Sequence, residues 1–396
     1  MQIRMCPSAA MTEAGALRSY YENRIIRISE AGRAHYGLQL EDPISLRTIH
    51  NEIIVLRVAE ALKEDMDDDY SCASITSKNA ELLGIHSSVP KSEVQRVRGI
   101  TLGCDPEAFI VDMATGNLAG ASRFFKKFGE VGHDGMMVEF RPPPSTDENV
   151  VTNNLWVLIQ RARSILNGHP EGNRIGILGA SSYAGLTAGF HLHYGLPSSL
   201  LGYNSGARNL ARIMTLAFDY YIGIPAIIPE GSQDYRRRTQ LHVEYGKPGG
   251  YRLDGRTFEY RLPGGILLQH PIYTRGIIAL GATVVEDLVS RISTRTDGFV
   301  SLGLITRHED LKELYPRLPD INGLFGLICS IDIAPARAHL AGIINDVRQM
   351  VGYEQRAQSI EPFFQHLMDG TTFNQNIELN WGGVANEEQQ GQMVVL

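Results

Sequence analysis

The sequence predicts an α+β protein, and three observations carry that expectation. Apolar residues near the start recur at helical spacing. From about Gly99 the texture changes to short alternating segments divided by glycine and proline, and long helical patterns return from Arg275. The chain has 396 residues, 43% of them hydrophobic and 20% charged, as a folded globular chain requires. Its net charge of −7 argues against a general nucleic-acid coat.

Taking the elements in order, Ile49, Ile53, Leu56 and Leu62 predict a helix between Ser45 and Met66, ended by the acidic cluster Glu64, Asp65, Asp67, Asp68 and Asp69. Residues 1–98 are therefore expected to form a helical N-terminal extension. Ile100 to Cys104 and Ala108 to Val111 read as strands, with a turn at Ala114 to Asn117. Met136 to Arg141 reads as another strand, stopped by Pro142, Pro143 and Pro144. A helix follows, with Ser145 and Glu148 as a capping box, Val151, Leu155, Leu158 and Ile159 as its stripe, and Gly168 at its exit. Ile175 to Leu178 and Phe190 to Leu196 are further strands, and Asn209 to Tyr221 a further helix.

Arg236 to Glu244 and Thr257 to Leu262 flank a loop holding Gly246, Gly249 and Gly250. Beyond residue 295, helices such as Pro335 to Val351 are expected, then a loosely held polar tail from Thr371. The apolar run from Leu216 to Ile228 is too short to span a bilayer, and no secretion signal opens the chain. Cys6, Cys72, Cys104 and Cys329 are scattered, without CxxC or zinc-site spacing, so a reducing compartment is expected. The reading is of a soluble, cytoplasmic protein.

Side chains on a strand alternate between faces, so residues i and i+2 point the same way. Asp105 and Glu107 then share a face, as do Glu139 and Arg141, His191 and His193, and Glu259 and Arg261. Each pair alone fits an ordinary strand with one wet face. Together they collect metal-ligating and anion-pairing groups where Thr, Lys and Ser are usual. Four carboxylates on one surface repel unless cations lie among them, and oxygen ligands suit Mg²⁺ or Mn²⁺. A His-x-His pair alone fits a zinc site or a packed core pair equally well. Arg236, Arg237 and Arg238, followed by Arg252 and Arg261, add guanidinium groups that match phosphate and carboxylate. In isolation such a triplet is a solvated basic turn. There is no GxxxxGK[ST] loop, so a P-loop is not the nucleotide site.

The succession Gly-Cys-Asp-Pro-Glu (103–107), Asp-Gly-Met-Met-Val-Glu-Phe-Arg (134–141), His-Leu-His (191–193), Tyr-Gly-Lys-Pro-Gly-Gly-Tyr-Arg (245–252) and Phe-Glu-Tyr-Arg-Leu-Pro (258–263) resembles the phage-type carboxylate–amine ligases, amidoligases of the glutamine synthetase and glutamate–cysteine ligase superfamily. The resemblance covers roughly Gly99 to Ile292 and delimits a core at 99–295, with a helical C-terminal region over 296–396. It implies a curved, mainly antiparallel sheet forming a funnel-shaped active site, with helices on its outer side. It also implies ATP-dependent amide formation through an acyl phosphate, with Mg²⁺ or Mn²⁺.

By similarity, Asp105, Glu107, Glu139, His193 and Glu259 would hold metal. Glu139, Arg261 and Arg237 would serve catalysis, and Arg236, Arg238, Arg252 and His191 the nucleotide. The partners would be small-molecule or peptide carboxylates and amines, with no general nucleic-acid binding and no membrane, and a homo-oligomer is expected. Asp134 is a candidate base for the incoming ammonium, although an Asp-Gly turn also explains it. Pro106 departs from a regular strand, since it lacks a donor and calls for an edge or a bulge. The rival expectations are a non-catalytic virion or assembly protein of the same fold, and a metal-dependent hydrolase.

Overall fold

The computed structural model describes residues 2–5, 25–28, 30–36, 38–40, 43–47, 53–60, 72–75, 95–96, 100–195, 205–240, 246–254, 257–294 and 312–382. The chain divides into two compact units, Met1–Thr101 with Pro143–Asp147, and Leu102–Pro142 with Glu148–Leu396.

The first unit corrects the expected helical extension. It holds β1 (Gln2–Met5), β2 (Ile25–Ile28), α1 (Glu30–Tyr36), β3 (Pro43–Arg47), β4 (Ile53–Glu60), β5 (Cys72–Ile75) and β6 (Gln95–Arg96). The strands form one sheet in the order β1-β5-β2-β4-β3-β6. The helical spacing of Ile53 and Leu56 was a subset of an unbroken run, Ile53-Ile54-Val55-Leu56, followed after Arg57 by Val58. A run so rich in β-branched residues suits a strand, and β4 pairs on both edges, with β2 and with β3. Glu64 to Asp69 lie outside the described residues.

The second unit begins with the twelve-residue β7 (Thr101–Asp112), a single strand where two were expected. It continues through β8 (Asn117–Leu118), β9 (Val131–Asp134), β10 (Met137–Phe140), α2 (Glu148–Asn167), β11 (Ile175–Leu178), β12 (Ser182–Tyr183), β13 (Leu186–Thr187) and β14 (Phe190–Gly195). Next come α3 (Ser205–Phe218), α4 (Ile224–Ile227), α5 (Tyr235–Thr239), β15 (Tyr251–Asp254), β16 (Thr257–Tyr260) and α6 (Pro271–Thr294). The last elements are α7 (Ile321–Ile328), α8 (Ala334–Val347), α9 (Tyr353–Asp369) and α10 (Ile377–Trp381). The sheet runs β15-β16-β14-β7-β10-β9, with β11 and β8 also on β7. Every register recorded in it is antiparallel, and the sheet does not close into a barrel.

One face of this sheet is the core. Val138, Phe140, Leu192, Tyr194, Phe258 and Tyr260 are fully buried. Phe218 of α3 meets Tyr194, Phe258 and Tyr260 edge-on, with centroids 5.4, 5.3 and 5.1 Å apart. Each such contact adds roughly 0.5–1.5 kcal/mol beyond area burial. Helix α6 comes so close that a Cβ on Gly281 would lie 1.7 Å from Tyr194 Oη. The helical layer therefore fixes which way the strands face, and leaves the polar alternates on the opposite side.

Two smaller expectations, the capping box and the loosely held tail, are corrected. Glu148 binds Ser359 Oγ at 2.7 Å and Arg356 at 3.7 Å, so its carboxylate serves tertiary packing where a capping box was expected. Arg236 to Thr239 lies in the short helix α5, and residues 241–245 fall outside those described. The segment after Thr371 is docked through residue 382: Trp381 is buried and donates to Leu268 O at 2.8 Å. Among the described residues no helix is long and apolar enough to cross a membrane.

Candidate metal centre

Registers across the sheet place the expected acids on one face. Glu139 lies directly opposite Glu107, His193 opposite Glu259, and Glu259 opposite Arg252. Directly opposed residues of an antiparallel pair present their side chains on the same side. Pro106 needs neither an edge nor a displaced face. The register of β7 with β10 begins at Glu107, so the missing donor falls where that pairing ends. The next donor, Glu107 N–H, bonds Gly189 O at 2.9 Å.

Asp105, His193 and Glu259 bring one ligand atom each within 4.8 Å of one another. Asp105 Oδ2 is 3.0 Å from His193 Nε2, and its Oδ1 is 3.2 Å from His191 Nδ1. His191 Nδ1 is also 3.6 Å from Glu259 Oε1. The Glu259 side chain is wholly buried, with Arg261 Nε at 3.0 Å and Arg252 Nε at 2.5 Å. Gly189 makes room for the first imidazole, since a Cβ there would lie 2.5 Å from His191 Nε2.

Electrostatics follow the geometry. Burial alone would raise the Asp105 carboxyl, but the imidazoles of His193 and His191 outweigh it and hold the group far below the usual range. His193 answers in kind: burial would lower it, and Asp105 and Glu259 together raise it. Glu107 is raised, chiefly by burial, although its Oε2 accepts Gly189 N–H at 2.6 Å. Glu139 is ion-paired with Arg141, whose Nη1 donates to Gly129 O at 3.1 Å. Glu107 and Glu139 thus form a second pair on the same face, beside the tighter triad.

The donor set fits a divalent cation. Two carboxylates and an imidazole suit Mg²⁺ or Mn²⁺. Asp105 Oδ1, His193 Nε2 and both Glu259 oxygens are buried at ion-pair distances yet lack aligned hydrogen bonds. Atoms so placed could be satisfied by a central ion.

The arginines separate into two groups. Arg252 and Arg261 stand at the acid cluster. Arg237 and Arg238 instead face buried protein partners, a correction to reading the triplet as a phosphate clamp. Arg237 Nε donates to Ala188 O at 3.3 Å and its Nη2 to Leu262 O, with Glu230 3.8 Å away. Arg238 bonds Ile328 O at 2.7 Å and Ser330 O at 3.0 Å, and pairs with Glu230. Arg236 is exposed on α5. Asp134 ends β9, exposed, one residue before the positive-φ Gly135, as a turn requires.

Sequence reading missed Asp219. It opens a π-helical stretch, Asp219–Gly223, and is buried under the glycine loop. Its Oδ1 accepts Tyr260 Oη–H at 2.8 Å, and its Oδ2 accepts Gly249 N–H at 2.7 Å. It thereby ties the loop beside Arg261 to the strand that carries Glu259. The signal was present: a lone acid within an apolar run. Burial raises its pKa from 3.8 to about 7, against the opposing effect of Tyr260 and Gly249.

Between these values the native state keeps a proton that the unfolded chain releases. Its stabilising contribution is therefore complete below about pH 4 and lost as pH rises through about 7, by at most about 4 kcal/mol. The stability difference between wild type and Asp219→Asn should accordingly shrink from about pH 5 to about pH 8, as read by urea midpoints. A difference that stays constant with pH would rule this titration out.

Taken together, the fold and site define an α+β protein whose antiparallel sheet carries a cluster of Asp105, His193 and Glu259 that could hold a divalent cation, with Arg252 and Arg261 beside it. Residues 102–297 match the family model of the phage phiEco32-like COOH.NH2 ligase-type 2 proteins, and the chain carries a phage-type carboxylate–amine ligase domain over that segment. No curated protein matches the chain.

Solved structures similar to it include a bifunctional glutathione synthetase from Pasteurella multocida, at 14% identity and TM-score 0.37, covering 74% of this chain and 49% of that one. A novel glutamine synthase homologue is 10% identical at TM-score 0.31, covering 62% and 70%. A GmaS–ADP complex is 11% identical at TM-score 0.33, covering 84% and 100%. Scores this low give these likenesses no weight for the chemistry. The chain spans about half the length of the glutathione synthetase.

Proposed function

We propose that the chain is an ATP-dependent ligase joining a carboxylate to an amine through an acyl phosphate. The observation that carries this reading is the Asp105–His193–Glu259 cluster with Arg261 and Arg252 at its rim. Acids alone suggest a cation, while a cation site rimmed by guanidinium groups suits a phosphoryl group in transfer. Asp105, His193 and Glu259 would hold Mg²⁺ or Mn²⁺, with Glu107 and Glu139 as further oxygen donors on the same face. The ion, when bound, would neutralise nucleotide phosphate charge.

In this proposal an oxygen of the substrate carboxylate attacks the γ-phosphorus of ATP and ADP leaves. The amine nitrogen then attacks the acyl carbon, phosphate leaves, and the nitrogen loses a proton to a nearby base. Arg261, anchored on Glu259, would orient the carboxylate or the transferring phosphoryl group. Arg252, with about half of its side chain exposed, would reach the nucleotide phosphates. His191 would position Asp105 and Glu259, both of which its Nδ1 meets.

Purified protein should release phosphate from ATP with Mg²⁺ in the presence of a matching carboxylate and amine, and mass spectrometry should find the amide. Bond cleavage that needs metal but no nucleotide would point to a hydrolase. If neither ATP binding nor turnover is found across a broad panel of amino acids and peptides, the ligase reading fails.

A further inference from the structure

A cavity of about 420 Å³, lined by none of Asp105, Glu107, Glu139, His193 or Glu259, is built jointly by the ligase segment and the chain after it. The ligase segment supplies Ser182, Asp234 and Tyr273. The later segment supplies Arg337 of α8, His366 of α9 and Phe373 from the loop between α9 and α10. The family match ends at residue 297, so eight of the twenty lining residues lie beyond it.

Its polar groups are of opposite charge and are not spent on each other. Asp234 is 97% buried: its Oδ2 accepts Gly231 N–H at 2.8 Å, and its Oδ1 has no hydrogen-bond partner. The neighbouring Glu230 is already answered by Arg237 and Arg238. Arg337 donates to Leu367 O at 2.7 Å and meets no carboxylate among the described residues. Ser182 Oγ and His366 Nδ1 are likewise buried without hydrogen bonds. The buried acceptor is costly unless a ligand answers it, and the half-buried Arg337 on the same cavity offers the complementary charge.

The cavity also has an aromatic wall. Phe373 is stacked on His270 at 4.0 Å and held edge-on by Tyr273 at 4.9 Å. Tyr273 Oη–H in turn donates to Thr371 O at 2.9 Å, which fixes the segment carrying Phe373. A rigid ring surface of this kind favours an apolar or aromatic side chain over a bare ion. The volume lies within the range for small-molecule pockets and holds one amino acid or a dipeptide.

We propose that this cavity binds a zwitterionic amino acid or short peptide, with its carboxylate on Arg337, its ammonium on Asp234 Oδ1 and its side chain against Phe373. The site does not depend on the ligase reading, because its occupancy needs neither nucleotide nor divalent ion.

Calorimetry of the full chain, without ATP or metal, would titrate the free α-amino acids and a set of dipeptides. At least one should bind, and its N-acetyl and carboxamide forms should each bind wild type at least ~10-fold more weakly. Arg337→Gln and Asp234→Asn should weaken the unmodified ligand by a similar factor, with thermal melting confirming the fold. Glu259→Gln should leave binding unchanged. The ligand series on wild type stands even if a variant fails to fold. Binding by none of the probes, or equal binding by the blocked forms, overturns the proposal.

Discussion

Glu259→Gln is expected to remove divalent-cation binding and, with it, nucleotide turnover, while the chain still folds. Glu259 shares one surface with Asp105 and His193, is wholly buried, and faces Arg261 and Arg252 on its two oxygens. Altering groups that merely support a metal ligand costs roughly 10- to 100-fold in affinity or activity, so loss of a ligand should exceed that. Glutamine keeps the volume and one carbonyl acceptor, whereas alanine would leave two arginines facing a cavity and confuse folding with function. Mn²⁺ binding followed by paramagnetic resonance, beside a melting curve, separates the two effects. Wild-type Mn²⁺ affinity in a folded Glu259→Gln protein would show that the acid cluster is a structural ion-pair network.

How much of this was legible depends on what a residue's role is set by. Strand-face alternation is local, so the shared faces of Asp105 with Glu107, and of His193 with Glu259 across the sheet, could be anticipated from spacing and order. Arg237 and Arg238 could not. A guanidinium reads the same in sequence whether it meets phosphate or the carbonyls of Ala188, Leu262 and Ile328. That choice is made by Ala188 and Leu262 for Arg237 and by α7, ninety residues away, for Arg238, and no local pattern reports it. The N-terminal sheet was misread for a different reason: selecting every third or fourth apolar residue from Ile53 to Val58 ignored the β-branched residues between them. Asp234 and Arg337 were invisible because their cavity joins segments about a hundred residues apart.

Arg238→Met is expected to cost about 3–5 kcal/mol of stability, as removing one member of a buried ion pair does. Arg238 caps the end of α7 through Ile328 O and Ser330 O, where a cation also meets the negative end of the helix. Its loss leaves Glu230 buried with only Arg237, 3.8 Å away. Adding Glu230→Gln to Arg238→Met should restore part of the loss, because the uncompensated charge goes with it, and a double-mutant cycle reads that coupling. The exposed Arg236→Gln should stay within about 0.5 kcal/mol of wild type. These outcomes distinguish a tie between helices from a phosphate clamp. A clamp residue would leave the urea midpoint near wild type and abolish turnover. A tie lowers the midpoint, and the fraction that remains folded should still bind Mn²⁺ with wild-type affinity.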